Sequence, residues 1–170
     1  MNNLKTYTDD EIINLIIEKK VTAADLTDSG ICPTCFNKKH NDVLYGENES
    51  KILYEDDEVE CFLVGNPRAD GHVAISTKKH YKDMLEIDDE ICKKVFLLSK
   101  KVMCILKEVY NSESIYLCTM CDGPMNHFHV QLIPRYSYEK RGSNNFVKPR
   151  KEYVEDKEKI KILRKRLKEM

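Results

Sequence analysis

The ten residues Asn126–Arg135 (NHFHVQLIPR) constrain the fold of this chain more than any other stretch. Along an extended strand, successive side chains point to opposite faces. One face of this stretch is apolar and carries Phe128, Val130 and Leu132. The alternation therefore predicts a strand with one face in a hydrophobic core. Pro134 has no amide hydrogen and is expected to end the ladder of hydrogen bonds, just before the cation of Arg135.

The opposite face of the same strand carries two imidazoles and an amide. They belong to His127, His129 and Gln131. At a rise of about 3.3 Å per residue, neighbouring members of this row lie about 7 Å apart. Polar groups of this kind are costly to bury without partners. The pattern favours a functional site over a half-exposed strand that carries histidines by chance.

The composition indicates a folded domain without a strong charge bias. Of the 170 residues, 41% are hydrophobic and 34% are charged, which suits a globular chain with a real core. The formal net charge of -1 gives no electrostatic reason to expect nucleic acid or a membrane as a partner. There is no apolar run of roughly 20 residues and no signal-peptide pattern at the start. We therefore expect a cytoplasmic location, where the seven cysteines are thiols or metal ligands.

The chain divides into three predicted parts. Residues 1–30 form an N-terminal helical extension, in which Thr8 and Glu11 make a capping box before an apolar stripe of isoleucines. Residues 31–150 form the main domain. Residues 151–170 form a C-terminal helix that is acidic at its start and basic at its end, as the helix dipole favours.

The main domain is predicted to be α+β, with an antiparallel sheet of about five strands and one long helix packed on it. Short apolar runs between turn residues predict three strands of a meander, over 51–54, 59–64 and 72–77. Helical turns are expected over 81–86. The long core helix then runs from Asp88 to Tyr110, with Cys92 and Cys104 as small core residues. A fourth strand is expected over 114–121, and the turn Asp122-Gly123-Pro124 leads into the opening strand.

The segment Cys32-Pro33-Thr34-Cys35 is predicted to form half of a zinc site. A Cys-x-x-Cys pair with an internal proline suits a tight knuckle that directs two thiolates to one point. A redox role for such a pair requires a helix start in a βαβ context, which the polar residues 37–42 do not indicate. Unligated thiols are the third interpretation. Two further ligands would come from the five histidines or from another cysteine pair.

Cys118 and Cys121 are that other pair, and with Cys32 and Cys35 they could make an all-cysteine site. The surrounding residues are apolar, and neither glycine nor proline lies between the two cysteines. Positions three apart on an extended strand face opposite sides. The all-cysteine site is therefore disfavoured if the strand reaches Cys121, and it stays open if the strand ends earlier.

The segment His127–Arg135 resembles the motif of the histidine triad superfamily, His-φ-His-φ-His-φ-φ, where φ is apolar. Upstream segments resemble other elements of the family, in the same order. Tyr54-Glu55-Asp56 resembles its first strand and turn, and Asn66 with Gly71-His72-Val73 resembles its nucleotide-contacting asparagine and Gly-His element. Lys78-Lys79-His80 resembles its lysine/histidine step, and Asp122-Gly123 resembles the turn before the triad. The resemblance covers roughly 32–136 and identifies the main domain, 31–150, as a histidine triad (HIT) domain.

The resemblance implies roles for the matching residues. His129 matches the family's nucleophile, which attacks the α-phosphate of a nucleotide and holds the nucleotidyl group as a phosphoramidate. His72 matches a residue of the polar relay beside the nucleophile, and Asn66 matches a ribose or phosphate contact. In zinc-bearing members the metal ligands match Cys32, Cys35, His80 and His127, which would make a closed, structural zinc site. A purine nucleotide or dinucleotide substrate and a homodimer are also implied.

Two departures from the family pattern bear on the reaction. Gln131 stands where a third histidine is usual, as in the branch that includes galactose-1-phosphate uridylyltransferase and dinucleoside polyphosphate phosphorylases. A glutamine can hydrogen-bond a phosphoryl oxygen but cannot exchange a proton near pH 7, which weakens leaving-group protonation and favours transfer. Residues 122–127 are shorter than the family's usual segment and lack its Gly-Gln-Ser/Thr. Asn126 is the candidate replacement for the missing phosphate contacts.

Taken with the resemblance, the residues lead us to expect a nucleotidyl hydrolase that acts on a nucleoside phosphoanhydride or phosphoramidate. His129 would be the covalent residue, with Gln131, His127 and His72 beside it. The alternatives are a nucleotidyltransferase or phosphorylase, and a zinc-stabilised module that binds nucleotides without catalysis. A zinc-ribbon interaction protein is the interpretation that follows if the second cysteine pair binds metal.

Overall fold

The computed structural model describes residues 4–45, 51–121, 123–142, 149–150 and 156–169. After a short 3-10 helix, Leu4–Thr6, the helices are α1 Asp9–Ile17, α2 Ala23–Asp28, α3 Pro33–Lys39, α4 Asp89–Val109 and α5 Lys157–Lys168. The strands are β1 Ile52–Glu55, β2 Val59–Leu63, β3 Val73–Thr77, β4 Ser114–Cys118 and β5 His129–Arg135. None of the described helices is both long and apolar enough to cross a membrane. Asp122 of the expected turn and the expected start of the last helix, 151–155, lie outside the described residues.

The chain forms two compact units, and each draws on separate stretches of sequence. The first unit comprises Met1–Ser50, His80–Glu86 and Cys121–Phe128. The second comprises Lys51–Lys79, Ile87–Met120 and His129–Met170.

The first unit is built on short helices with well-defined starts. The predicted capping box is present in α1, where the Thr8 N–H donates to Glu11 Oε2 at 2.8 Å and the Thr8 hydroxyl accepts from the Glu11 N–H. A second capping box, between Thr22 and Asp25, starts α2. The helices enclose a small core made of Leu4, Ile12, Ile16, Val21, Leu26 and Phe36.

The second unit contains a five-stranded antiparallel sheet in the order β1-β2-β3-β5-β4, which confirms the predicted α+β class. The register pairs Val73 with Leu132 and Ile75 with Val130, and all four side chains are fully buried. Helix α4 packs on β3, β4 and β5, and α5 packs on α4 and β1. The alternation of β5 thus supplies an apolar face to the core, as its sequence predicts.

The ends of β5 differ from the prediction. The strand begins at His129, so His127 and Phe128 precede it. Its last residues include Pro134, which was expected to end the ladder but pairs with Ile115 of β4. The pairing with β3 stops at Leu132. In the described part of the chain no strand pairs with β5 on that side beyond Leu132, so a residue without an N–H is tolerated there.

Three other local predictions are wrong. Residues 33–39 form helix α3 and not a knuckle, because Pro33 at the first helical position and Cys32 as N-cap start a helix. Residues 81–86 form turns without a helix. Cys92 is only half-buried and Cys104 is exposed, so neither is a core residue. Cys61 on β2 is the fully buried thiol instead.

Candidate active site and metal-ligand cluster

Four of the predicted metal ligands converge in the first unit. The ligand atoms of Cys32, Cys35, His80 and His127 all lie within 4.8 Å of one another. The Cys35 sulfur is 3.4 Å from Nδ1 of His80 and 3.4 Å from Nδ1 of His127. The Cys32 sulfur is 3.7 Å from the same atom of His127. Ligands of a tetrahedral zinc ion lie about 3.6 Å apart, given bonds of about 2.3 Å to sulfur and 2.0–2.1 Å to nitrogen. The spacing therefore fits a single tetrahedral ion.

Local structure brings these four side chains together. Cys32 is the N-cap of α3, and its sulfur accepts a hydrogen bond from the Cys35 N–H at 3.5 Å. One helical turn thus puts both sulfurs on one side. The residues that follow the two histidines are hydrogen-bonded to each other, because the Phe128 N–H donates to the Tyr81 carbonyl at 2.7 Å. This bond holds the backbones of His80 and His127 close together. The His80 and His127 rings meet edge to face, with centroids 5.2 Å apart.

The chemistry of the cluster suits a soft or borderline divalent ion. Burial and the neighbouring Cys32 raise the pKa of the Cys35 thiol to about 11. Two adjacent thiolates repel each other unless a cation lies between them, and a bound metal deprotonates its thiol ligands. Two sulfurs and two ring nitrogens are a zinc donor set, and with four protein ligands no position remains for a water molecule.

Among the residues that the structure describes, no other group of three or more metal-binding side chains converges in this way. His40 is engaged elsewhere, with its Nε2 3.1 Å from Asp9 Oδ2. Strand β4 ends at Cys118, so the predicted extension of the strand to Cys121 is wrong. The geometric objection to the second cysteine pair therefore falls away. However, the convergent cluster contains neither of these two cysteines.

The second predicted site lies on β5 in the second unit. His129 pairs with Ser76 and Gln131 with Ala74 across the β3–β5 ladder, so both side chains are on one face of the sheet. The Nε2 atoms of His129 and Gln131 lie 3.4 Å apart. An amide nitrogen donates, so this contact is a hydrogen bond in the His129 tautomer whose Nε2 carries no proton. His129 is also fixed through its backbone, where its carbonyl accepts from the Thr119 hydroxyl at 2.9 Å.

His72 is fully buried beside this row, just before β3 begins. Its Nδ1 accepts a hydrogen bond from the Arg68 N–H at 3.1 Å, which assigns the ring proton to Nε2 in the neutral form. Burial, with a smaller contribution from the charge of Arg150, lowers the pKa of His72 to about 4. The Gln131 amide acts in the opposite direction. His72 is therefore neutral at pH 7.

The side chains of His72 and Gln131 each have a buried polar atom that lacks a hydrogen bond in the described part of the chain. Nε2 of His72 and Oε1 of Gln131 are both buried, and neither has a hydrogen-bond partner among the described residues. One is a donor and the other an acceptor, so a small adjustment would join them. Hydrogen bonds of this kind are often long in unliganded sites and shorten when substrate binds. Such a bond would direct the Gln131 amino group towards His129.

The two asparagines predicted to contact the nucleotide have different surroundings. Asn66 is exposed, and its carbonyl accepts a hydrogen bond from the Arg150 guanidinium at 2.7 Å. The Asn126 side chain is bonded to Gly123 twice, with Nδ2 donating to the carbonyl at 2.9 Å and Oδ1 accepting from the N–H at 3.4 Å. The Asn126 side chain thus stabilises the turn that precedes it. These two hydrogen bonds must break before the side chain can contact a phosphate.

Two arginines that contact predicted site residues, Arg68 and Arg150, were not predicted from the sequence. The position of Arg68, between Asn66 and His72, is a signal that could have found it. No local pattern distinguishes Arg150, because a contact across 84 positions brings it to Asn66.

The comparisons with known proteins agree with this fold. The HIT domain family model matches residues 45–138, more than half of the chain. An uncharacterized HIT-like protein of Methanocaldococcus jannaschii is 35% identical over 97 residues, which cover 55% of this chain and 75% of the relative. Adenylylsulfatase HINT3 of Arabidopsis thaliana is 31% identical over 101 residues, 55% of this chain and 49% of the relative. The chain belongs to the HIT family.

Solved structures share the fold at low sequence identity. A hypothetical histidine triad nucleotide-binding protein from Sulfolobus tokodaii aligns with a TM-score of 0.58 and 24% identity, over 70% of this chain and 84% of that one. A zinc-bound histidine triad family protein from Mycobacterium smegmatis aligns with a TM-score of 0.57 and 17% identity, over 69% of this chain and 84% of that one. At these identities the likeness is one of fold.

Proposed function

We propose that this protein is a nucleotidyl hydrolase in which His129 forms a covalent nucleotidyl intermediate. The observation that carries the proposal is the contact between His129 and Gln131, whose side-chain nitrogens are 3.4 Å apart at the start of β5. The contact supports the proposal because the His129 tautomer that accepts from the Gln131 amide has a lone pair on Nε2, as an imidazole nucleophile must. Membership of the HIT family, with a nucleotide-binding histidine triad protein among the similar structures, supports a nucleotide as substrate.

The proposed reaction has two displacement steps. In the first, Nε2 of His129 bonds to the α-phosphorus, and the bond from that phosphorus to the leaving group breaks. In the second, water attacks the same phosphorus, the N–P bond breaks and a nucleoside monophosphate leaves. The Gln131 amide donates to a phosphoryl oxygen and carries no proton between groups. His72 is a positioning residue that acts through Gln131.

We propose zinc as the ion of the Cys32, Cys35, His80 and His127 cluster, with a structural role. It would link the start of α3 to the two histidine-bearing stretches of the first unit. The donor set, the spacing of the ligand atoms and the zinc-bound family member of similar fold support this proposal. A homodimer and a nucleotide contact by Asn66 stay proposals from the resemblance. The division into 1–30, 31–150 and 151–170 and a phosphate contact by Asn126 stay proposals from the sequence.

The test is capture of the covalent intermediate. Wild-type protein and a His129→Ala variant are mixed with a dinucleoside polyphosphate labelled at the α-phosphate, quenched and separated. We expect label on the wild type that is stable to base and lost in acid, as a phosphoramidate is, and none on the variant. A matched His40→Ala variant keeps the label, because His40 bonds to Asp9 and lies outside both sites. Label that persists on the His129 variant would exclude His129 as the nucleophile.

A nucleotidyltransferase or phosphorylase is the second candidate, and Gln131 is the observation that favours it. An amide in the third triad position cannot activate water by taking its proton. Product analysis with and without inorganic phosphate or a sugar phosphate separates the two. Turnover in buffer alone supports hydrolysis, whereas turnover that requires the acceptor supports transfer.

A further inference from the structure

Helices α4 and α5 pack against each other in the second unit, and a groove of about 400 Å³ lies between their solvent-facing sides. Its lining combines apolar side chains with cations: Leu97, Lys100, Lys101, Cys104 and Ile105 from α4, and Arg166 from α5. The volume is within the range of about 300–1,000 Å³ that is usual for ligand-binding clefts. The groove shares no lining residue with the triad row or with the metal-ligand cluster.

The apolar part of the groove has an exposed rim and a recessed floor. Leu97 at the rim is 62% exposed, and the adjacent Phe96 is 40% exposed. Cys104 is exposed as well, whereas Ile105 at the floor is only 5% exposed. Single exposed apolar residues are ordinary on a protein surface, but a group of them around a concave site marks an interaction surface. A side chain that projects from a partner can reach this floor, and a flat surface cannot.

The cations of the groove are mostly without acidic partners. Arg166 Nη1 lies 2.6 Å from Glu108 Oε2. Lys100 and Lys101 are exposed, and neither makes an ion pair or a hydrogen bond with the part of the chain that the structure describes. The groove is therefore locally positive on a chain whose formal net charge is -1. A partner that is complementary to it carries negative charge.

The combination of a recessed apolar floor and a cationic rim selects among negatively charged partners. A nucleic-acid backbone would meet the lysines but brings no apolar side chain to the floor. An anionic bilayer is bound by apolar side chains that project from a surface, and Ile105 is recessed. An amphipathic helix with acidic residues supplies both parts, because its apolar anchors recur at i, i+3, i+4 and i+7 and its carboxylates lie beside them.

We propose that the α4–α5 groove is a docking site for an acidic amphipathic segment of a partner protein. An apolar anchor of that segment fills the space over Ile105 and Cys104 and packs on Leu97. Carboxylates on either side of the anchor pair with Lys100 and Lys101. The docking site is separate from the nucleotidyl transfer proposed above, so either can fail without the other.

The first experiment identifies the kind of segment that binds. A random peptide library displayed on phage is selected on the full chain and counter-selected on the Lys100→Gln/Lys101→Gln variant. We expect the enriched peptides to be acidic, with leucine, phenylalanine or methionine at helical spacing. A selection that enriches nothing, or that enriches neutral or basic peptides, would overturn the proposal.

The affinity of an enriched peptide is then measured by fluorescence anisotropy. We expect Leu97→Ala and Lys100→Gln/Lys101→Gln each to bind about tenfold more weakly than wild type, as is usual when an anchor contact is truncated. Lys19→Gln/Lys20→Gln is the matched control, because it removes two adjacent exposed lysines of the first unit. It should bind within about twofold of wild type. Thermal unfolding confirms that all variants are folded. Equal losses in the control and in the groove variant would indicate non-specific attraction by charge and contradict the docking site.

The location of the bound peptide is tested through the exposed thiol of Cys104. Iodoacetamide labelling of each cysteine is followed by mass spectrometry with and without saturating peptide. We expect the peptide to slow labelling of Cys104 at least about fivefold, because alkylation of a thiol depends on its accessibility. Cys92 is the internal control, since it precedes Cys104 on α4 by roughly 18 Å along the helix axis. A labelling rate of Cys104 that the peptide does not change would place the peptide elsewhere and exclude the groove.

The other occupants are tested in parallel. Vesicles of phosphatidylcholine with phosphatidylserine, and a single-stranded oligothymidylate, are titrated into wild type, Leu97→Ala and Lys100→Gln/Lys101→Gln. Binding of either that the lysine variant loses and Leu97→Ala keeps would identify a simple cationic surface and overturn the proposal. Light scattering after size exclusion tests a second copy of the chain. A wild-type dimer that Leu97→Glu dissociates would assign the groove to self-association, whereas a monomer, or a dimer that survives this change, leaves the groove open to the segment.

Discussion

The sulfur of Cys35 lies 3.4 Å from Nδ1 of His127, a residue 92 positions later in the chain. This distance matches the edge of a zinc tetrahedron, about 3.6 Å, and each of the two residues has a second neighbour in the cluster. The proposed zinc ion would therefore join two parts of the first unit that lie far apart in the sequence.

Replacing either kind of ligand is expected to remove the ion. Purified wild type should contain one zinc per chain by elemental analysis, and Cys35→Ser and His80→Ala should each contain less than about a tenth of that. Since binding to the native state alone adds about 4 kcal/mol when free zinc is at 1,000 times Kd, both variants should also unfold at lower temperature. His40→Ala and Cys118→Ser should keep the metal. If Cys118→Ser loses zinc and His80→Ala retains it, the all-cysteine site replaces the one proposed here.

Gln131→His should change the preference between leaving groups. A histidine can protonate a departing amine, and proton transfer of this kind contributes about 10²-fold to 10⁴-fold to a rate. We expect kcat/KM on adenosine 5′-phosphoramidate to rise at least tenfold relative to diadenosine triphosphate. Gln131→Asn, which supplies no proton, is the control and should leave the ratio within threefold of wild type. The two substrates assayed in parallel measure the effect, and an unchanged ratio in the histidine variant contradicts the role given to Gln131.

The stability of the protein should fall as the pH drops from about 6.5 to about 4, because His72 is buried as a neutral ring. The pKa of His72 is near 6.5 in the unfolded chain and about 4 in the folded one, so in this window the unfolded state binds the extra proton. The stabilisation is thus complete above pH 6.5 and lost on acidification, up to about 3 kcal/mol for a shift of this size. Urea unfolding of His72→Gln should show a flatter pH dependence than wild type across this range. Metal-free protein is used for both, so that loss of zinc does not contribute. Parallel pH profiles would contradict the assignment.

Asp56 is expected to stabilise the β1–β2 turn without affecting catalysis. Burial tends to raise the pKa of Asp56, but Lys94 and the N–H groups of Glu58 and Val59 outweigh it and hold the pKa at about 2. Asp56→Ala removes an acceptor from two backbone N–H groups, at a cost of about 2 kcal/mol. Thermal unfolding should show the loss, with kcat/KM unchanged. The exposed Asp57→Ala is the matched control, and equal melting temperatures for the two variants would argue against a role for Asp56.

Gly71 should tolerate no side chain, although it lies in a loop. Its φ of +72° is in the left-handed region, and an added Cβ would lie 2.9 Å from the Tyr110 ring. The backbone strain of Gly71→Ala alone costs about 1–2 kcal/mol, and the ring must also move. We expect a lower melting temperature and reduced activity, because the residue precedes His72. At Gly65 an added Cβ would meet only the flexible end of Lys51, so Gly65→Ala should be much milder.

The sheet was predictable because its signal is repeated along the chain. The alternating burial in β2 and the apolar row of β5 both follow from the alternation of side chains between the two faces of a strand. Each strand is also bounded by turn residues. The limits of β5 were not predictable, because pairing with neighbours decides them. Pro134 stays in the strand since β3 no longer accompanies it. Helix α3 was missed because it is only seven residues long, and Cys-Pro served equally well as the start of a knuckle or of a helix.

The candidate sites were predictable to different degrees. The pair Cys32 and Cys35 has a spacing that is itself a metal signal, whereas His80 and His127 came from the family resemblance. The histidine at 127 was expected to share the strand row, and the structure instead brings it to the two cysteines before the strand begins. Arg150 could not be found from sequence, since nothing near it in the chain predicts a contact with Asn66.

The 92 positions between Cys35 and His127 also have a consequence for biosynthesis. A ribosome that adds about 5–20 residues per second needs about 5–20 seconds to make this interval. During that time His127, the last of the four proposed ligands, has not been made. The helices of residues 4–39 can form their own small core meanwhile, but the proposed metal site stays incomplete until synthesis passes residue 127.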